Sequence, residues 1–441
     1  MKARGLLVAA IVLAALTSTL YWSNHHKSVA TSADSTLESS PRILTVPPAE
    51  VTGLSIRKKS GDRVMLAQNN TGQWQITAPK TFSADQDAVS SVLSALSSLN
   101  SDRLVEDKAT NLDQYGLAQP SIEVEIKRGD NKSQDLRIGD DTPTGNGAYA
   151  AVAGDPRVFT IASYYKNAFV KSANDLRDKR LLTFDSDKVS SLELTAKKQT
   201  IAFGRSKDEW QIVKPKPFRA DRSQVEDLLR TLRDAKMDLS GDEDEKKASE
   251  AFGSGTPFAL AKVTDVSGAQ ELQVRKSKDD YYAKSSAVAG VYKISTGTSP
   301  RLNKSLDDFR DKRLFDFGFA DPDTIEFHDG PKNYFLMHSG GDWWSNGTRM
   351  DPGAVSALVD KIRDLSASEF PQTGFSAPGV DLTVTSDGGK RVEKVMVAKN
   401  GDKYLAKREN EPALYELNVS AVSELQKSAA DLKPAPPPSK K

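Results

Sequence analysis

The sequence lacks cysteine and has almost no excess of charge. Because none of its 441 residues is cysteine, it has no means of forming disulfide bonds, a thiolate metal site, a cysteine nucleophile or a lipid-modified cysteine. Its 61 basic and 60 acidic residues leave a formal charge of +1, so no global field is available to hold a polyanion. We therefore expect no nucleic-acid partner.

Catalytic signatures are missing as well. The sequence contains no serine nucleophile elbow, HExxH motif, P-loop or dinucleotide-binding fingerprint. Of its 4 histidines, His25 and His26 are adjacent in a polar N-terminal segment. His328 and His338 are separated by a spacing that is not typical of metal ligands. The sequence thus predicts a protein that is not an enzyme, with no metal, no cofactor and no small-molecule ligand.

Long apolar runs are also scarce, and the exception covers residues 5–22. As a helix this run would be roughly 27 Å long, close to the ~30 Å hydrocarbon core of a bilayer. Two basic residues precede it and a Tyr-Trp pair ends it, which favours a single-pass inner-membrane anchor with a cytoplasmic N-terminus and a periplasmic bulk. The alternative is a cleaved signal peptide, whose candidate site, Thr31-Ser32-Ala33, lies well beyond the apolar run.

A helical phrase occurs three times along the rest of the chain. Asp85, Asp221 and Asp351 each precede apolar residues at +4, +7, +8, +11 and +14, the spacing of one helix face. The three sets are Val89/Val92/Leu93/Leu96/Leu99, Val225/Leu228/Leu229/Leu232/Ala235 and Val355/Leu358/Val359/Ile362/Leu365. We interpret each aspartate as a helix N-cap. The chain is therefore predicted to contain three copies of one unit.

Short alternating segments flank each helix and predict β-strands. In the first copy, one set includes Leu54-Ser55-Ile56 and a second set, after the helix, begins at Ile122. This order predicts an α+β fold, in which a transmembrane helix is followed by three tandem repeats of antiparallel β-meanders covered by helices. The predicted segments are a membrane anchor at 1–22, a flexible stalk at 23–40, unit one at 41–182, unit two at 183–315, unit three at 316–432 and a proline- and lysine-rich tail at 433–441.

A nearly identical junction separates the units. Leu-Arg-Asp-Lys-Arg-Leu begins at Leu176, and Phe-Arg-Asp-Lys-Arg-Leu begins at Phe309. Three further features are the apolar N-terminal run, Trp210-Gln211-Ile212 with Pro215 and Phe218, and Ile138-Gly139-Asp140 before Tyr149. Over about residues 42–430, these features resemble the domain of unknown function 4340 (DUF4340) family of bacterial envelope proteins. Unit three departs from the pattern, because it lacks the Pro and Phe before Asp351.

The resemblance implies an accessory role in the cell envelope, with no catalytic residues to carry over. Family members are often encoded near transporter subunits. The leading hypothesis is therefore a non-enzymatic periplasmic scaffold or adaptor for other envelope proteins, such as the subunits of a transporter complex.

Two features of the sequence are candidate binding surfaces. Trp343 and Trp344 are adjacent in a predicted strand, so one of them should face away from the core. An exposed indole there would suit a periplasmic glycan-binding module, which is the alternative function, whereas core packing is the structural alternative. The junction residues Arg177, Arg180, Arg310 and Arg313 either face an anionic partner or tie one unit to the next.

Overall fold

The computed structural model describes residues 42–130, 132–207, 209–240 and 245–437. The predicted membrane anchor and stalk lie outside these residues. Within the described ranges, no helix is both long and apolar enough to cross a membrane. The chain divides into two compact bodies, one ending at Asp178 and the other beginning at Lys179.

The first body contains one antiparallel sheet and a central helix. Its strands are β1 (Val51–Lys58), β2 (Arg63–Gln68), β3 (Trp74–Ala78), β4 (Phe82–Ser83), β5 (Arg103–Glu106), β6 (Ile122–Arg128), β7 (Ser133–Asp141), β8 (Gly147–Val152) and β9 (Val158–Ala162), and its helices are α1 (Gln86–Ser97), α2 (Ser163–Phe169) and α3 (Ala173–Leu176). The strand order is β4-β3-β2-β1-β6-β7-β8-β9-β5. Because β1 pairs with β6, the two predicted meanders of unit one join into a single sheet.

The second body contains two sheets with the same construction. Unit two has β10 (Ser191–Ala196), β11 (Gln199–Ser206), β12 (Glu209–Lys214), β13 (Phe218–Arg219), β14 (Thr256–Asp265), β15 (Gly268–Ser277), β16 (Asp280–Ser285) and β17 (Val291–Ile294), with α4 (Arg222–Arg233), α5 (Glu245–Ser254), α6 (Ser299–Leu302) and α7 (Leu306–Phe309). Its order is β13-β12-β11-β10-β14-β15-β16-β17.

Unit three again joins two meanders into one sheet, with a central helix between them in sequence and a second helix at its end. It has β18 (Thr324–Asp329), β19 (Lys332–Ser339), β20 (Asp342–Ser345), β21 (Thr348–Arg349), β22 (Ala367–Glu369), β23 (Val380–Ser386), β24 (Arg391–Asn400), β25 (Lys403–Arg408) and β26 (Leu414–Leu417), with α8 (Pro352–Arg363) and α9 (Val419–Ala430). Its order is β21-β20-β19-β18-β23-β24-β25-β26-β22. The prediction of three antiparallel sheet units in an α+β fold is therefore confirmed.

The central helices α1, α4 and α8 form the cores together with the inner faces of the sheets. Every apolar position of the repeated helical phrase is buried, and strand residues such as Leu54 and Ile56 meet the helix from the sheet. The predicted N-caps are confirmed. Asp85 accepts a hydrogen bond from the backbone N of Ala88 at 3.1 Å, and Asp351 accepts one from Ala354 at 2.9 Å. Such a cap contributes about 1 kcal/mol to stability.

The backbone before each central helix pairs with the segment that ends the same unit, in what we call the closing contact. In each case the N-cap N–H donates to a carbonyl: Asp85 to Leu176 at 2.8 Å, Asp221 to Phe309 at 2.8 Å and Asp351 to Lys433 at 2.9 Å. A second bond follows two residues later, and in unit three it joins Ala435 N to Arg349 O at 2.9 Å. The first residues of the predicted tail thus occupy the closing position of unit three.

An opening contact follows the end of each central helix. The N–H of Ile43 donates to Leu99 O at 3.3 Å, that of Leu181 to Ala235 O at 3.0 Å and that of Leu314 to Leu365 O at 3.0 Å. Each junction therefore has two roles: its first residues close one unit, and its last residues open the next. Both contacts occupy backbone groups near the sheet edges, where unpaired N–H and C=O groups invite unwanted strand pairing.

Candidate functional site

The tryptophan pair of unit three divides between the two faces of its sheet. Trp343 lies in the core with 6% of its surface exposed, and its ring packs 4.9 Å from that of His338. Trp344 is half-buried on the opposite face, where its Nε1 donates to Ser339 O at 3.4 Å. The prediction that Trp343 contributes to an exposed binding surface is therefore wrong, because strand alternation points its side chain at α8.

Trp344 belongs to a line of side chains that crosses the outer face of sheet three, which is the face turned away from α8. Strand register pairs Met337 with Trp344 and with Thr324. It then pairs Thr324 with Thr385, and Thr385 with Val392. We call these five residues the outer row of unit three.

Three of those five side chains are apolar and lie uncovered or half-covered. Met337 is 44% exposed and Val392 62% exposed. Phe335, 42% exposed, lies beside this row, opposite Glu326. We call Phe335, Met337, Trp344 and Val392 the outer patch. Contiguous exposed apolar groups of this kind mark interaction surfaces.

The equivalent rows of the other units carry small or polar residues. The register-matched residues are Gln211, Gly204, Ser191, Thr264 and Ala269 in unit two and Gln75, Ala67, Gly53, Lys127 and Ser133 in unit one. An apolar outer row is therefore found in unit three and not at the matching positions of units one and two. Sequence reasoning singled out the Trp343-Trp344 pair but missed Phe335, Met337 and Val392.

Arg310 is buried, with only 4% of its surface exposed. Its guanidinium lies 4.3 Å from the ring of Phe218 in unit two and 3.6 Å from that of Phe370 in unit three. Its Nη1 also lies 3.4 Å from an oxygen of Asp307. Burial lowers the pKa of Arg310 below its ordinary value. Arg310 therefore links two units of the second body and does not belong to an exposed basic patch.

Arg177 occupies the matching position in the first body. It is 7% exposed and its guanidinium lies 3.8 Å from the ring of Phe82. Of the two alternatives for the junction, an anionic partner does not suit Arg177 and Arg310, because both side chains are buried. The closing contact places both side chains over an aromatic ring, where stacking favours arginine.

The other two junction arginines are more exposed. Arg180 is exposed and its backbone pairs with that of Lys236. Arg313, whose side chain is 54% exposed, forms ion pairs with Asp311 at 3.2 Å and Asp316 at 3.1 Å. The hydrogen bond that the Arg313 side chain donates to Asp311 raises the pKa of Arg313, and Asp311 also pairs with Arg219 of unit two. These contacts show that the second junction ties unit two to unit three.

Two open depressions lie on the surfaces of the described residues, one in each body. One of about 620 Å³ lies beside Asp62, Arg63 and Lys171, and another of about 320 Å³ lies beside Asp307 and Glu369. Among the described residues, no group of three or more His, Asp or Glu side chains is placed to hold a metal ion.

Comparison with known families gives one assignment. The family model described as a domain of unknown function (DUF4340) matches residues 74–211 and 210–381. The chain belongs to the DUF4340 family. No curated protein matches this sequence.

Solved structures that match include two of DNA polymerase sliding clamps. A ligand-bound clamp from Pseudomonas aeruginosa shares 9% identity, covers 85% of this chain and 93% of its own, and has a TM-score of 0.16. The DNA polymerase III subunit beta of the same organism shares 8% identity, covers 85% and 93%, and also scores 0.16. A likeness this low carries no argument about this DUF4340 protein.

Proposed function

We propose that this protein is a non-enzymatic scaffold or adaptor that holds other envelope proteins on the periplasmic side of the inner membrane. Transporter subunits are the leading class of partner. In this proposal residues 1–22 anchor the chain in the membrane, residues 23–40 form the stalk, and the modules at 41–182, 183–315 and 316–432 provide the surfaces. Binding of nucleic acid, cofactor or small molecule has no part in it.

The observation that carries the proposal is the contrast between repeated cores and divergent outer faces. In unit one the outer face holds ion pairs, such as Arg57 with Glu123 and Arg63 with Glu125. In unit three it holds the outer patch. A scaffold that repeats one core but varies its exposed side chains can bind a different partner on each unit, since affinity and specificity depend on the surface groups.

The absence of cysteine makes a direct test practicable. Single cysteines at Gln75 and Gln211, carrying a photoactivatable maleimide, would sample the outer faces of units one and two in turn. We expect capture of a defined set of envelope proteins that differs between the two positions. Recovery of one identical background set at both positions would contradict the adaptor.

The anchor can be tested separately. Full-length protein should remain with membranes after carbonate extraction, and deletion of residues 5–22 should release it. Protease added to spheroplasts should digest units one to three if they are periplasmic. A chain that is released intact by carbonate, or protected in spheroplasts, contradicts this part of the proposal.

Glycan binding is the second candidate, favoured by the half-buried Trp344 on an uncovered face. The Arg349–Asp342 ion pair, 2.7 Å long, and Thr324 place hydrogen-bonding groups near the indole. Retention of the protein on a peptidoglycan or polysaccharide column that is lost with Trp344→Ala would support this function. Gln211→Ala, at the equivalent position of unit two, is the matched control.

A further inference from the structure

The outer face of unit three has an unpaired charge among its apolar residues. Glu326 lies on β18 between Phe335 of β19 and Thr383 of β23, and it forms no ion pair with any residue in the described part of the chain. In unit two the equivalent Glu193 lies opposite Lys262. In unit three the residue opposite Glu326 on β23 is Thr383, and the nearest lysine in that row is Lys394 on β24, opposite Thr383. Glu326 therefore lacks the adjacent cation that its counterpart has.

We propose that the outer patch binds a second copy of this chain about a two-fold axis between β18 and β23. Four adjacent strands, β19-β18-β23-β24, form the face. The two copies pack face to face, and the two-fold axis runs parallel to the strands, in the plane of the contact and over the gap between β18 and β23. Rotation about this axis lays β19 of one copy on β24 of the other, and β18 on β23. A symmetric contact of this kind uses the same surface on both copies.

The side chains complement one another under this rotation. Met337 meets the partner copy's Val392, and Phe335 meets the aliphatic stem and ammonium of the partner copy's Lys394, a contact that favours a cation over an aromatic ring. Thr324 meets Thr385, so small residues face each other near the axis. Trp344 extends beyond the four strands and covers the edge of the contact.

The charges complement one another as well. Glu326 of each copy lies over the partner copy's Thr383, one strand, or about 4.8 Å sideways, from Lys394. Within a single copy the two groups are two strands apart. The rotation thus brings the ammonium group of the partner copy's Lys394, which also pairs with Glu409 at 3.7 Å, toward each Glu326. Such pairs set the orientation of a contact more than its strength, which the apolar side chains provide.

The size of the face predicts a weak dimer. Four strands at about 4.8 Å and six residues at about 3.4 Å give a surface of roughly 20 by 20 Å. A stable interface buries about 800 Å² on each partner, so this contact should be reversible and best detected by cross-linking. The inference does not depend on the adaptor function, because it concerns how copies of the chain meet one another.

The test uses the full-length chain, purified in mild detergent. Facing sheets lie about 10 Å apart, too far for a direct disulfide bond, so Thr385→Cys should be treated with a short bis-maleimide. We expect a covalent dimer. Thr264→Cys, the equivalent position in unit two, should give little dimer. Equal cross-linking at both positions, no dimer at Thr385→Cys, or capture there of a different protein from intact membranes would overturn the proposal.

Two further variants test the contact in the Thr385→Cys background. Met337→Glu should lower the dimer yield by about tenfold, because loss of about 1.4 kcal/mol gives that factor. Val213→Glu, which alters an exposed apolar residue of unit two, should leave the yield unchanged. An unchanged melting temperature checks that each variant is folded. A yield unaffected by Met337→Glu would exclude the outer patch as the contact.

Charge exchange tests the orientation. Glu326→Lys and Lys394→Glu should each lower the yield, and the double exchange should restore most of it. A double variant no better than either single variant would overturn the two-fold pairing.

Discussion

Units one and three share their inner construction and differ on their outer faces. Leu99 and Leu365 are both buried at the end of the central helix, and both carbonyls accept the opening contact. Outside, unit one pairs Arg57 with Glu123, whereas unit three exposes Phe335 and Met337. The inner face is constrained by packing against a helix of fixed pattern, while the outer face is free to vary. The difference between units therefore points to function, and their similarity points to stability.

The strongest test of this comparison concerns the shared cores. Leu99→Ala and Leu365→Ala should each lower the free energy of unfolding of their own body by about 3 kcal/mol, because each removes a buried side chain and leaves a cavity. Chemical denaturation followed by peptide-resolved hydrogen exchange would report on each body separately. A loss in one unit several times larger than in the other would show that the two inner faces are not equivalent.

The helix caps provide a second, smaller test. Asp85→Ala and Asp351→Ala should each cost about 1 kcal/mol of stability, since each leaves backbone N–H groups of the first turn without an acceptor. Thermal unfolding would measure the effect. Asp85→Ser and Asp351→Ser, which keep a capping oxygen, should recover most of the loss. If serine is no better than alanine, the aspartates stabilise their helices in some other way.

The repeated units could be predicted from sequence because their signals are local. The helix phrase and its capping aspartate depend on a spacing of 3.6 residues and one side-chain oxygen, both visible in a short stretch of sequence. The strand segments alternate in the same local way. Joining of two meanders into one sheet depends on the pairing of β1 with β6, which no short stretch reveals.

The exposure or burial of the site residues could not be predicted, because it depends on contacts with residues distant in sequence. Alternation showed that one of Trp343 and Trp344 must face outward, but only the strand register shows which. Arg310 resembled a surface charge because its second aromatic partner, Phe370, lies far along the chain. The closing role of Lys433 was hidden for the same reason, since its partner is the backbone of Asp351.

The outer faces should differ in their response to loss of charge. Glu123 contacts Arg57 and lies 3.8 Å from Arg137, so Glu123→Gln should lower stability by about 0.5 kcal/mol at low salt, and by less at high salt. Glu326→Gln should cost nothing in the monomer, because Glu326 has no ion pair among the described residues. Denaturation at two ionic strengths measures both. Equal losses would contradict the assigned difference between the faces.

The smallest effect we predict is a dependence on pH that arises in unit one. Asp155 accepts hydrogen bonds from the side chain of Arg157 at 2.6 Å and from its backbone N at 3.0 Å, which hold the pKa of Asp155 below its ordinary value. A lowered folded-state pKa stabilises the protein above the unfolded-state pKa of about 3.9, and that stabilisation is lost as the pH falls through the folded-state value. Asp155→Asn should therefore reduce the pH dependence of the first body's free energy of unfolding between about pH 5 and pH 2. Glu424→Gln, which removes the Lys361 pair of unit three, should alter only the second body. A slope in the first body that survives Asp155→Asn would assign its acid sensitivity to other carboxylates.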